Sequence, residues 1–553
     1  MMTLTRFILF TLLLFSRLAG AASGVASAHP LATEAGTRIL QQGGNAFDAA
    51  VAITAALAVV EPAGSGLGGG GFWLLHDAST GKDIMLDGRE KAPNAASRDM
   101  YIDEAGKVVP GSSVDGPLAA GIPGEPAALV WLSSLYGELP LEVSLAPAIE
   151  YAEQGFAVGE HYHRLMNFRH DAIKKSPAAA TIFLNNGQVP EIGWTLVQND
   201  LAATLRLIAE KGFDGFYRGK VAEALAKGVQ QAGGLWTLDD LAQYRVKIRK
   251  PVQSQYGDMT LTSAALPSSG GLVMSIALNI LSHYDLDAED NITAKHLVVE
   301  AMRRAYRDRA EYMGDSDYVE VPTERLLSLD HAEALSQSVD MAHATPSSEL
   351  PSATDEVAES TDTTHFSVVD DSGNRVAATL SINYPFGSAF VAPGTGVLLN
   401  DEMDDFSAKP GVPNVYGLVG AEANAIEPGK RMLSSMSPTF LETEDRIAVL
   451  GTPGGSRIIS MVLLASLAFN QGASAEEIVS TTRIHHQYLP DHIQYEPDAL
   501  TPKQIVRLYV KGHKLEPRGR TWGNMQAIVI DKKNGAVSAA SDPRGEGMAT
   551  VLE

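Results

Sequence analysis

Thr363-Thr364-His365-Phe366-Ser367-Val368-Val369-Asp370 lies about two thirds of the way along a chain of 553 residues and reads like the start of a second protein. Ahead of it, from Ser336 to Asp362, runs a Ser/Thr/Ala/Glu-rich stretch carrying Pro346 and Pro351. Such a composition offers little apolar surface to bury, so a mobile linker is expected there. Behind it come an alternating strand, a turn at Asp371-Ser372-Gly373-Asn374, and a second strand from Arg375 to Asn383. A hydroxyl residue at a flexible-to-rigid junction is where a self-cleaving precursor places its future N-terminus. Thr363 could attack the carbonyl of Asp362 and, once freed, carry both a nucleophilic hydroxyl and its own base, the α-amine. Taken alone, the segment is also what a polar linker before an ordinary strand looks like.

The ends and the composition narrow the classes. Residues 1–21 read as a secretory signal: Arg6 gives the positive start, Phe7 to Phe15 the apolar core, and Ala19-Gly20-Ala21 a cleavage motif. That core is too short to span a bilayer, and a periplasmic or secreted destination follows. Loss of the segment, with Arg6 and Arg17, takes the formal charge from −23 to −25. So acidic a chain does not suit nucleic acid or an anionic membrane. Cysteine is absent, which excludes thiol nucleophiles, thiolate metal sites and disulfides.

Apart from the stretch before Thr363, no linker divides the chain and no repeat is visible, which suggests one globule made of two pieces, 22–362 and 363–553. Asn45 to Val60 predicts a buried helix with Asn45 as its N-cap. Gly64 to Gly71 precedes the strand Phe72–Leu75. Its spacing mimics a dinucleotide loop but in inverted context, so close backbone packing is the better reading. Residues 117 to 320 look mostly helical, with His161 and His163 in a loop-like stretch. Neither that pair nor His485-His486 has zinc-protease spacing, and no metal or cofactor is expected. Downstream of Thr363, strands at 366–369, 376–382, 397–399, 447–450 and 526–530 alternate with helices at 456–470 and 475–481. That pattern predicts a layered α/β sandwich.

Four polar clusters follow Thr363. Ser381 and Asn383 share one face of a strand. Asn400-Asp401-Glu402-Met403-Asp404-Asp405 crowds carboxylates beside an apolar strand, and Ser434-Ser435-Met436-Ser437 gathers hydroxyls. Gly451 to Ser456 turns from strand to helix, where backbone N–H groups can stabilise an oxyanion.

With these motifs in order, the chain resembles the γ-glutamyltranspeptidases, a family of N-terminal-nucleophile hydrolases. The match runs through Gly43–Ala50, Gly68–Phe72, Arg89–Pro93, Thr363–Asp370, Asn400–Phe406, Lys409–Gly420, Ser434–Thr439, Gly454–Arg457 and Ser541–Arg544. The resemblance implies a four-layer αββα sandwich built jointly from two autoproteolytic chains. It implies small γ-glutamyl donors such as glutathione, with water, an amino acid or a dipeptide as acceptor. Thr363 would be the nucleophile, Ser381 its hydroxyl support where the family commonly has Thr, and Gly454 and Gly455 the oxyanion donors. Arg89 with Ser434 and Ser435 would clamp the donor α-carboxylate. Asn383, Glu402 and Asp405 would receive its α-ammonium, and Tyr416 would gate a lid spanning Lys409–Gly420. A glutaryl or cephalosporin acylase on the same scaffold is the alternative, although glutaryl groups leave the ammonium acceptors idle. A single-chain periplasmic binding protein for acidic peptides is a more distant one.

Overall fold

The computed structural model describes residues 22–350 and 363–553. The expected signal, the end of the linker and Asp362 lie outside the described residues. Two antiparallel sheets stack face to face. The first runs in the order Met548–Leu552, Ser23–Ser27, Thr364–Val369, Arg375–Ser381, Gly70–Asp77, Lys82–Gly88, Lys247–Arg249. The second runs Val537–Ser541, Gln526–Asp531, Arg446–Gly451, Thr439–Glu442, Met259–Ser263, Val252–Tyr256.

Alternation along each strand sends one set of side chains into the gap and the other towards helices. Ala26, Leu74, Val369 and Ala377 meet Phe440, Val449 and Ile528 between the sheets. Val25, Phe366, Val368 and Val376 pack with Ala46–Val60 and its neighbours on one outer face. Leu261, Leu441, Ala448 and Leu450 pack with Gly270–Leu281, Asn291–Tyr312 and Ile458–Asn470 on the other. These are the four layers the sequence implied.

The helix Ala46–Val60 is buried at every position. Its start is fixed by a capping box in which the Asn45 side chain accepts from the N–H groups of Phe47 and Asp48 while Asp48 accepts from the Asn45 N–H. Such a cap is worth roughly 1 kcal/mol. The glycines that follow do pack closely. A Cβ on Gly68 would stand 2.0 Å from the Leu398 carbonyl oxygen, and one on Gly69 would stand 2.2 Å from that of Ser381. This contact sets the Gly-rich segment alongside the strand that ends at Ser381, with which Gly70 and Gly71 pair.

Four expectations need correction. Residues 397–399 form only isolated bridges, Gly68 to Leu399 and Val391 to Leu398, because the segment bends across the glycines instead of joining a sheet. His161 and His163 are in the helix Glu160–Ile173, not a loop; the Glu546 carboxylate accepts from the His161 N–H at its first turn. Residues 117–320 are mostly helical as expected, with strands at 247–263, but the strand expected over Arg375–Asn383 stops at Ser381 and Asn383 lies beyond it with φ 73°. The linker is packed at its start: Ser336 is buried within the helix Leu329–Gln337, and buried Ser347 accepts from Arg303 at 2.7 Å and donates to the Tyr488 carbonyl at 2.7 Å. Polar partners on the body of the protein compensate there for the missing apolar surface.

Candidate active site

Thr363 stands just before the strand Thr364–Val369 and is 6% exposed. It borders two cavities. One, walled by mostly buried side chains, is lined by Arg89, Ser381, Asn383, Glu402, Asp405, Tyr416, Ser434, Ser435 and Gly455, with about 20 Å³ of free space. The other, open to solvent, has about 450 Å³ and includes Gly454. Asp362 aside, each site residue expected from the sequence lines one of the two cavities that Thr363 borders, Gly454 the larger and Gly455 the smaller. Gly455 has φ 56° and Gly454 φ 145°, and a Cβ on Gly455 would come within 2.6 Å of the Tyr416 ring.

Arg89 follows the strand Lys82–Gly88, and Asp87 turns the chain there by accepting from the Arg89 N–H at 2.9 Å. The guanidinium is buried. Its Nε donates to the Met432 carbonyl at 3.3 Å and its Nη2 to Asp405 at 2.6 Å. Its Nη1 lies 2.6 Å from Glu402 and 3.5 Å from Glu90. The Glu402 pair is an ion contact off the hydrogen-bond direction, and neither Glu402 oxygen has a well-aligned donor. The Ser381 hydroxyl is nonetheless near enough to favour the Glu402 charge.

The turn Glu402–Asp405 is short and polar, yet Glu402 and Asp404 are buried, contrary to the solvated turn such residues usually form. Asn400 holds it: its Oδ1 accepts from Gly121 and Glu402, and its Nδ2 donates to the Gly68 and Gly121 carbonyls.

Burial raises Glu402 to about 7, with Arg89 pulling it down and Asp405 pushing it further up. Burial likewise raises Asp405 against the pull of Arg89. Glu90 rises well above the carboxylate range through burial and the nearby Glu402. Three crowded carboxyls thus face Arg89 and the buried Arg309, and the cluster carries more acid than base. A cation brought by a ligand would relieve it. Arg309 is a residue the sequence reading missed. It donates to Ser269 at 2.9 Å and to Ser435 at 3.3 Å, bringing positive charge to the hydroxyl pair.

Ser381 accepts from the Asn383 N–H at 2.8 Å, and Asn383 takes a left-handed φ of 73°. The Tyr416 hydroxyl donates to the Asn383 carbonyl at 2.6 Å. The rest of segment 409–420 is tied to the acidic turn. Asn414 donates to Asp405 at 3.1 Å, and the Val415 N–H donates to Asp404 at 2.9 Å. Segment 409–420 therefore lies against the acidic turn, and its Tyr416 lines the smaller cavity.

Glu61 reads in the sequence only as a helix stop. In the fold its carboxylate accepts from the Thr364 hydroxyl at 2.5 Å and lines the open cavity, and burial raises it to about 7. His365, two residues from the nucleophile position, is not a base for it. It lies on the inter-sheet face, bonded to Thr379 at 2.8 Å, and burial lowers it to about 3. Far from both cavities, His296 and Glu300 do have i, i+4 spacing and meet His513, a grouping the sequence reading overlooked. The Glu300 oxygens are already engaged by Arg303, Arg304 and the Thr345 N–H.

Stacked antiparallel sheets between helical layers, with a hydroxyl residue at the head of a central strand beside a polar cavity, define an N-terminal-nucleophile hydrolase architecture. The family model for gamma-glutamyltranspeptidase matches residues 32–552. The chain belongs to the γ-glutamyltranspeptidase family. It is 41% identical over 525 residues to a glutathione hydrolase proenzyme of Escherichia coli, covering 94% of this chain and 90% of the relative. It is 43% identical over 533 residues to one from a Pseudomonas strain, covering 95% and 92%. Among solved structures it resembles a cephalosporin acylase from Bacillus halodurans, with TM-score 0.85, 28% identity and 96% of each chain covered. It also resembles the Helicobacter pylori γ-glutamyltranspeptidase, with TM-score 0.57 and 41% identity over 58% of this chain and 93% of that one.

Proposed function

We propose that the protein hydrolyses glutathione and related γ-glutamyl donors and passes the γ-glutamyl group to water, an amino acid or a dipeptide. The observation that carries this is the convergence of Arg89, Glu402, Asp405, Ser434 and Ser435 beside Thr363, with Arg309 donating to Ser435. A γ-glutamyl group has an α-carboxylate and an α-ammonium on one carbon, and this cavity offers a guanidinium with hydroxyls for the first. Its surplus of carboxyls suits the second.

In this reading the Thr363 oxygen bonds to the γ-carbonyl carbon as its proton passes to the α-amine, whose ordinary pKa is near ~8. Gly454 and Gly455 hold the oxyanion. The C–N bond then breaks and the amine leaves with that proton. Water or an acceptor amine resolves the ester by the same steps in reverse. The amine is free only after the bond between Asp362 and Thr363 has opened, giving pieces 22–362 and 363–553. Removal of residues 1–21 on export would deliver the protein to the periplasm or medium; among the described residues, no helix is long and apolar enough to cross a membrane.

The acylase reading draws on the similarity to the Bacillus halodurans acylase. A glutaryl group would set an apolar methylene against Glu402 and Asp405, which favours the glutamyl donor. The deciding measurement is release of glutamate from glutathione by the purified protein. A protein that cleaves glutaryl-p-nitroanilide but releases no glutamate from glutathione would refute the proposal.

A further inference from the structure

The open cavity has a charge at odds with its protein. The chain carries 66 acidic against 43 basic residues. Yet among the described residues lining that cavity Glu61 is the single carboxyl, against Arg164, Arg520 and Arg544. Arg544 is committed to the fold, donating twice to Glu496 at 2.9 Å and once to Asp542. Arg164 and Arg520 are exposed and have no carboxylate partner among the described residues. Other surface arginines of this acidic chain do: Arg38 pairs with Glu150, Arg98 with Glu422 and Arg206 with Glu153.

Arg164 is also oriented by a neighbouring ring. Its Nη2 lies 3.0 Å from Nδ1 of His161, and burial together with the Arg164 charge lowers that imidazole to about 4. A neutral ring nitrogen accepts from the guanidinium without neutralising it. Phe168, 60% exposed, and Trp522 add apolar lining to the same cavity. An open, basic, partly aromatic cavity on the side of Thr363 away from the α-carboxylate clamp faces the group that leaves and the group that replaces it.

We propose that Arg164 and Arg520 bind the C-terminal carboxylate of the departing peptide and of a peptide acceptor, making this cavity selective for anionic peptides over neutral amines. The proposal rests on the γ-glutamyl reading of the smaller cavity. In glutathione the leaving dipeptide ends in a carboxylate, whereas the p-nitroaniline of γ-glutamyl-p-nitroanilide has none. A guanidinium at a solvated rim contributes modestly, so the two together should set roughly a five- to ten-fold preference.

The test is the ratio of kcat/KM for glutathione to that for γ-glutamyl-p-nitroanilide, in wild type and in Arg164→Gln/Arg520→Gln. The ratio should fall about five- to ten-fold in the double variant, and ~0.5 M salt should shrink the difference by screening the wild-type contacts. An unchanged ratio overturns the proposal. Should the double variant fail to fold, Arg520→Gln alone is measured the same way. Should wild type turn over neither donor, the γ-glutamyl reading falls separately. Calorimetric binding of glycylglycine against glycylglycinamide then decides for the cavity. Preference for the free carboxylate that is lost in the variant supports it, and equal binding of both overturns it.

Discussion

Asp405→Asn removes one negative charge from the smaller cavity while keeping the shape of the side chain. The introduced amide could still accept from Asn414 through its oxygen, but its NH2 group would confront the Arg89 Nη2 now held at 2.6 Å. Part of the cost is therefore structural and common to all substrates. The specific part concerns the α-ammonium. Opposite charges about 4 Å apart at an effective dielectric of about 20 attract by about 4 kcal/mol. Arg89 offsets some of this. So does Glu402, which Asp405 pushes upward and which would ionise more readily without it. A remainder of about 1.5–3 kcal/mol is expected, or roughly ten- to 150-fold in kcat/KM for γ-glutamyl-p-nitroanilide. Glutaryl-p-nitroanilide, lacking the ammonium, should suffer only the common loss. The assay is the ratio of the two specificity constants in wild type and variant. An equal loss on both substrates would refute the reasoning and leave Asp405 as a prop for Arg89.

Thr363→Ala should yield one intact chain on a denaturing gel and release no glutamate, whereas Thr363→Ser should retain some of both; two bands from the Ala variant would remove Thr363 from processing. Tyr416→Phe deletes the 2.6 Å bond to the Asn383 carbonyl. Losing it costs about 1–2 kcal/mol, so proteolytic nicking within 409–420 should accelerate roughly five- to 30-fold, and an unchanged rate would show that the hydroxyl does not latch the lid. Glu61 is raised from 4.5 to about 7, so the folded protein binds more protons than the unfolded chain between those values and loses stability as pH rises through them. Glu61→Gln keeps the acceptor for Thr364 and lacks that titration. With Thr363→Ala in both proteins to keep the chain uncut, its stability relative to the parent should climb by up to about 3 kcal/mol from about pH 4 to about pH 9 in urea melts, and parallel curves would contradict the burial argument.

The strand after Thr363, the capped helix at Ala46 and the acidic turn were readable because each announces itself locally, by alternation, a cap and crowded charge. Arg309 was not. It belongs to the helix Asn291–Tyr312, whose many charges resemble a solvated face. In the fold, Arg303, Arg304, Asp308 and Arg309 are all buried there, each beside a polar partner supplied from elsewhere in the chain. Glu61 stayed hidden for a similar reason. A Glu-Pro pair ending a helix is ordinary punctuation, and its contact with Thr364 spans 303 residues. The bend at 397–399 escaped because a β-rich triplet cannot show that Gly68 will pack against it. Local pattern reveals elements and long-range pairing decides which charges meet.

The order of strands in the first sheet has a mechanical meaning. Ser23–Ser27 is laced on both edges to strands from beyond the junction, Thr364–Val369 on one side and Met548–Leu552 on the other. Arg375–Ser381 is in turn zipped along its length to Gly70–Asp77. A chain opened before Thr363 would expose no fresh sheet edge, and its halves could part only by tearing several ladders at once. Dilution would not dissociate them as it does two docked globules, so the melting temperature of the cut protein should be independent of concentration on the timescale of a scan. Refolding from denaturant would instead require two strangers to weave the same sheet in a second-order encounter. Scission would thereby turn a reversible equilibrium into a one-way assembly whose persistence is set by the rate of unfolding.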